Sequence, residues 1–162
     1  MNKEEVYDFF KQNNIKFEVD DHIPVYNMDD LKKVSLKYPN FDGKNIFLRD
    51  DKKRNYYLVT ILGDKKVDLK KFRIENGLRQ LSFASNVELY NYLKLIPGAV
   101  TPLGLLNDKD KVVKFYIDED FFKDPFIIGV HPNDNSATVW LNVNDLVSII
   151  KNNGNEVYLT KI

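Results

Sequence analysis

The strongest constraint in this sequence is a pair of apolar runs, Lys44 to Arg49 and Tyr56 to Leu62, separated by Asp50-Asp51-Lys52-Lys53-Arg54-Asn55. Both runs are rich in β-formers, and the polar turn-formers between them predict a hairpin. The flanking chain supplies helices. Lys3 to Asn13 carries Val6, Tyr7, Phe9 and Phe10 at helical spacing and predicts a helix stopped by Asn13-Asn14. Ile15 to Val19 alternates apolar with polar and predicts a short strand. Asn27-Met28-Asp29-Asp30 has the residues of a helix start. The helix that follows is predicted to bury Leu31, Val34 and Leu36 and to stop before Pro39. Asp68 caps a helix carrying Leu69 and Phe72, which Gly77 ends. Ser85-Asn86-Val87-Glu88 is a capping box for a helix that buries Leu89, Tyr92 and Leu93.

Strands are predicted at Val112 to Ile117, Phe126 to Val130 and Ala137 to Leu141, with His131-Pro132-Asn133-Asp134-Asn135 as a turn between the last two. Asn144 is the expected cap of a final helix holding Leu146, Ile149 and Ile150 and closed by Gly154, and Glu156 to Thr160 is the last strand. Hairpins mixed with scattered helices predict an α+β fold. The expectation is a single domain over residues 1–162, with a mixed, largely antiparallel sheet and surrounding helices.

Composition narrows the function. The 162 residues are 43% hydrophobic and 13% aromatic, enough for a self-sufficient core. There is no cysteine, which excludes a disulfide scaffold, a cysteine nucleophile and a zinc ribbon. No run approaches the roughly 18 apolar residues of a membrane span, and the start of the chain lacks a signal-peptide apolar segment. A cytoplasmic location is expected. Basic and acidic residues balance at 24 each, which argues against nucleic-acid binding by overall field but leaves room for a local patch.

Familiar catalytic motifs are absent: no G-x-G-x-x-G, no P-loop, no G-x-S-x-G and no H-x-x-x-H. The two histidines, His22 and His131, stand in unrelated contexts. Three short stretches carry the remaining signal. Pro97-Gly98-Ala99-Val100-Thr101-Pro102-Leu103-Gly104 is a loop of small residues whose backbone N–H groups are unobstructed. Lys44 follows a glycine at the start of a strand and suits a phosphate or carboxylate. Asn45 both donates and accepts. His131 ends a strand before a Pro-Asn turn. Taken singly, each reads equally as a connector, a surface lysine or a turn histidine.

Taken together they carry a resemblance. Lys44-Asn45-Ile46-Phe47-Leu48-Arg49-Asp50, Leu78-Arg79-Gln80-Leu81-Ser82-Phe83-Ala84-Ser85 and Pro97 to Leu105 resemble the signature blocks of the YbaK/prolyl-tRNA-synthetase-associated editing family. The match covers nearly the whole chain in the family's order and is nearest the freestanding Ala-tRNA(Pro) deacylases, the ProXp-ala or PrdX-like branch. Gln80 interrupts the Arg-Leu pair of the second block, and Gly129 to Asn133 matches the family's His-Pro turn only in part.

The resemblance implies hydrolysis of the ester that joins a mischarged amino acid to the 3′ end of tRNA(Pro), with substrate-assisted attack by water. Gly98, Ala99, Val100 and Thr101 would offer N–H groups to the carbonyl oxygen, with Pro102 fixing the loop. Lys44 would hold the terminal phosphate, and Asn45 and His131 would orient substrate or water. A pocket made for proline rejects alanine by only about 1–3 kcal/mol, so a second, smaller site is needed. Met28, Leu31, Phe47, Val100 and Ile128 are the expected apolar wall. The implied partners are the tRNA(Pro) acceptor end carrying alanine and, transiently, prolyl-tRNA synthetase. No metal, organic cofactor or membrane is implied. Lys52-Lys53-Arg54, Lys65-Lys66 and Lys70-Lys71-Arg73 are candidate RNA contacts. A deacylase for Cys-tRNA(Pro), or a tRNA-end-binding module without activity, are the alternative readings.

Overall fold

A computed structural model describes residues 1–162 apart from the side chains of Met28 and Leu31, so the expectation that those two wall a pocket lies outside the described residues. In chain order the elements are α1 (Lys3–Gln12), β1 (Phe17–Asp21), α2 (Met28–Leu31), β2 (Gly43–Asp50), β3 (Tyr56–Leu62), α3 (Leu69–Glu75), β4 (Leu81–Phe83), α4 (Asn86–Leu93), β5 (Val113–Asp118), β6 (Ile127–Val130), β7 (Ala137–Asn142), α5 (Val143–Asn153) and β8 (Val157–Thr160). A 3-10 segment, Pro102–Asn107, lies between α4 and β5. No helix among the described residues is long and apolar enough to cross a membrane.

The α+β architecture is as expected, and the strands divide into two sheets. One is antiparallel in the order β1-β7-β6. The other runs β4-β2-β3-β5-β8, with β2 antiparallel to β3 and β4, and with β5 parallel to both β3 and β8. The sheets meet where Asp42 bridges Gly129, whose N–H donates to the Phe41 carbonyl at 2.9 Å. This seam brings the start of β2 beside the end of β6.

Side chains alternate along β2 and β3, as a pleated strand requires. Phe47 and Leu58 enter a core shared with Phe10, Leu93, Leu103, Phe115, Ile128 and Leu146. Ile46, Leu48, Tyr57 and Val59 face the other way, onto Phe72 of α3. Burial on both faces explains why the hairpin reads as two continuous apolar runs.

Capping residues start the helices. Asp68 accepts from the Lys71 N–H, and the Ser85–Glu88 box closes in both directions. Glu88 also accepts from the Tyr56 hydroxyl (2.5 Å) and pairs with Arg49 (3.2 Å), which fastens α4 to the hairpin. Lys94 then turns the chain at φ 57° into the Pro97 loop. Two details differ from expectation. The cap of α5 is Asn142, not Asn144, because the Asn142 side chain accepts from the Asn144 N–H at 2.8 Å. The second helix is a single turn and does not reach Leu36. Val34 and Ser35 are weak helix formers, and the Lys37 N–H donates to Asp20 of β1 at 2.7 Å, which draws the chain away from a helical path.

Candidate active site

The Gly43–Asn45 end of β2, the Pro97–Thr101 loop, His131 and the Val25–Asn27 segment enclose an open cleft of about 250 Å³. Lys44, Asn45, Gly98, Val100 and His131, separated by up to 87 positions in the chain (131 − 44), all line it. The lining contains no carboxylate and no hydroxyl other than that of Tyr26.

Asn45 is a tie between two walls. Its amide donates to the Val100 carbonyl (3.2 Å) and the Gly43 carbonyl (3.4 Å), and its oxygen accepts from the buried Thr60 hydroxyl at 2.5 Å. Thr101 ties the loop to the other side. Its hydroxyl donates to the His131 carbonyl at 2.6 Å and caps the 3-10 segment that Pro102 opens. These bonds make Asn45 and Thr101 supports of the loop, and Pro102 is buried at the start of the 3-10 segment. Lys44 is half-buried, and none of the ion pairs among the described residues includes it.

The loop offers selected donors. The Ala99 N–H closes a turn onto the Ile96 carbonyl at 3.2 Å, and Ala99 is buried. The N–H groups of Gly98 and Val100 make no hydrogen bond among the described residues. Gly98 is required here twice. Its φ is +86°, a region that disfavours side chains, and a Cβ would lie 2.8 Å from Cδ1 of Tyr26.

His131 donates through Nδ1 to the Ala137 carbonyl at 3.0 Å, which leaves Nε2 of the neutral ring as an acceptor. Burial pushes its pKa below the usual 6.5, and the neighbouring His22 adds to that. The two histidine rings, which look unrelated in the sequence, have centroids 6.4 Å apart. His22 is held by the Ile23 carbonyl and the Thr138 hydroxyl. Beside Gly43 sits Asp42, only 7% exposed, with Oδ2 unpartnered among the described residues. Burial, helped by Asp64, raises its pKa above 3.8.

Two expected wall residues lie elsewhere. Phe47 points from the same face as Asn45 but two positions deeper, stacked on Tyr56 with centroids 5.8 Å apart in the core. Ile128 is fully buried beneath Gly43. Neither lines the cleft. Lys52-Lys53-Arg54 lies in the turn beyond the far end of β2, and roughly 20 Å of strand separates Lys44 from Asp50, where that turn begins. Lys65 is paired with Asp118 and Asp120, and Lys71 with Glu75 at 3.9 Å. Val25, Tyr26, Asn27, Thr60, His22 and Asp42 complete the surroundings of the cleft, and no pattern in the sequence marks them as part of a site. Only the resemblance to a family, aligned across its members, could have found them.

An open cleft with a lysine, unengaged backbone N–H groups and a neutral imidazole suits hydrolysis of an activated ester. Residues 22–149 match the aminoacyl-tRNA editing domain. This chain belongs to that family. It is 43% identical over 141 residues to the prolyl-tRNA editing protein ProX of Acetoanaerobium sticklandii, covering 87% of this chain and 85% of that one. It is 32% identical over 145 residues to the prolyl-tRNA synthetase associated domain-containing protein 1 of Bos taurus, covering 88% and 84%. A crystal structure of a candidate trans-editing enzyme for prolyl-tRNA synthetase shares the fold, with a TM-score of 0.72 at 18% identity over 99% of this chain and 96% of that one.

Proposed function

We propose that this protein is a trans-editing hydrolase, a single domain over residues 1–162, that removes alanine from mischarged tRNA(Pro). The class follows from the family and from relatives named for prolyl-tRNA editing. One observation carries the chemistry. Lys44, the unengaged N–H groups of Gly98 and Val100, and Nε2 of a neutral His131 border one cleft whose lining holds no acidic or serine nucleophile.

The assignment of roles follows from charge. Water attacks the ester carbonyl carbon, and the oxygen gains charge as the tetrahedral intermediate forms. The Gly98 and Val100 N–H groups face that charge, and preorganised donors of this kind contribute about 3–4 kcal/mol. The ribose hydroxyl beside the ester helps hold the water, and His131 Nε2 accepts a hydrogen bond from water or ribose. The C–O bond breaks, the 3′ oxygen takes up a proton, and free alanine and tRNA leave. Lys44 holds the terminal phosphate as a point charge. Selection is by size in this reading: the cleft takes alanine and turns proline away. The protein works in the cytoplasm, where charged tRNA is used, with transient association to prolyl-tRNA synthetase.

The test is to follow the ester of Ala-tRNA(Pro), Cys-tRNA(Pro) and Pro-tRNA(Pro) with purified protein. Fast loss of alanine with proline retained is expected. Loss of alanine no faster than the no-enzyme control overturns the function, and preferential loss of cysteine overturns the specificity.

A further inference from the structure

Tyr26 is the only phenol or phenyl ring among the described residues that line the cleft. Its backbone is pinned on both sides. Val25 is buried, donates to the Asn135 carbonyl at 3.2 Å and accepts from the Asn135 amide at 3.0 Å. The Tyr26 N–H donates to Asp30 at 3.2 Å, and the Asp30 N–H donates to Asn27 at 2.8 Å. Yet the tyrosine itself is 66% exposed, whereas Tyr56, Tyr57 and Tyr116 are buried in the cores. A fixed backbone that holds an aromatic ring out in water at the lip of a cleft is a platform awaiting a flat ligand.

The ring's position says which part of a substrate it meets. It rests on Gly98, where a Cβ would come within 2.8 Å of Cδ1. Gly98 is also one of the two donors assigned above to the ester oxygen, so the ring lies next to the place where the ester sits. Lys44, assigned to phosphate, lines the same cleft. In an aminoacylated RNA end, the group attached to the same ribose as the ester and the phosphate is the terminal base. Single-stranded ends are held by stacking such bases on aromatic rings, and each stack is worth enough to change affinity several-fold to a hundredfold.

We propose that Tyr26 is the stacking platform for the base of the 3′-terminal nucleotide. The inference rests on the reading of this cleft as the ester site. It makes Tyr26 a substrate-positioning residue whose hydroxyl is dispensable and whose ring is not.

The experiment uses an RNA hairpin ending in single-stranded CC followed by 2-aminopurine, a base whose fluorescence falls when it stacks. Wild-type protein and Tyr26→Phe should quench it with similar affinity. Tyr26→Leu should quench it little and bind about tenfold more weakly. With Ala-tRNA(Pro), Tyr26→Leu should raise KM by a similar factor and leave kcat within about twofold, with the melting temperature unchanged. Equal quenching by Tyr26→Leu and wild type overturns the proposal. So does a fall in kcat at constant KM, which would make the ring a brace for the Gly98 loop. The outcomes separate the two readings. Alanine hydrolysis with unaltered quenching by Tyr26→Leu removes the stacking role alone. Tyr26-dependent quenching without hydrolysis of any misacylated tRNA removes the editing activity and leaves the stacking role standing.

Discussion

The two ends of the β2–β3 hairpin are built from similar residues and do opposite things. Each has a buried aspartate at the edge of β2, Asp50 at one end and Asp42 beside the other. Asp50 is fully used. It accepts from the Lys52 N–H (3.2 Å), the Arg54 N–H (3.0 Å) and the Asn55 amide (2.7 Å). Burial pushes its pKa up, but these bonds outweigh burial and leave it below the usual carboxylate value. Asp42 has an oxygen with no partner among the described residues, and burial leaves its pKa raised. The Asp50 end closes on itself. The Asp42 end opens onto a cleft where Lys44 and two loop N–H groups are unengaged. Unspent polar groups therefore collect at one end of a single hairpin, where function is most expected.

That contrast can be broken by substitution. Gly98→Val forces a β-branched residue to φ +86° and drives a Cβ into Tyr26. Deacylation of Ala-tRNA(Pro) should fall on the order of a hundredfold or more. Retention of full activity would remove the loop from the mechanism. Lys44→Ala should cost about 10–100-fold, the worth of one charge-assisted hydrogen bond. Its melting curve should overlay wild type, and a large loss of stability would make Lys44 structural.

At the other end the effect should move from activity to stability. Asp50→Ala strands three donors and should cost about 2–3 kcal/mol, a fall in Tm of roughly 5–10 °C, with activity per folded molecule unchanged. The lowered Asp50 pKa has a definite sign. Its stabilisation is present above the unfolded value of 3.8 and is lost as pH falls through the folded one. Asp42 has the reverse sign, since ionisation of a carboxyl with a raised pKa opposes folding at neutral pH. Asp42→Asn should therefore raise Tm by a few degrees at pH 7, and the gain should vanish as pH falls towards 3.8. A lower Tm at pH 7 would mean that the charge is matched by a partner.

The same contrast shows what could be read from residues alone. The Asp50 end was legible because its bonds are local, spanning five positions or fewer. The capped starts at Asp68 and Ser85 were legible for the same reason. The parallel placing of β5 between β3 and β8 leaves no local trace, because the partners are joined by long crossovers. Three residues of β4 are too few to show alternation. At the site, Lys44, Gly98, Val100 and His131 could be picked out as residue types suited to an ester and through the family resemblance. Asn45 and Thr101 could be picked out too, but not that their polar groups are spent on holding the loop. Tyr26 reaches the cleft, and His22 and Asp42 its surroundings, through contacts of long sequence separation with Gly98, His131 and Gly129, and no spacing rule points to them. Phe47 was misplaced because apolar character fits a core as well as it fits a pocket wall.

In the proposed mechanism the ester carbonyl lies against the Gly98–Val100 backbone at the open end of the hairpin. A structure of the protein with 3′-alanylamino-3′-deoxyadenosine, whose amide resists hydrolysis, tests it directly. The carbonyl oxygen should lie within hydrogen-bond distance of the Gly98 and Val100 N–H groups. An analogue bound in the cleft with its carbonyl turned away from both, or bound elsewhere on the protein, would contradict it.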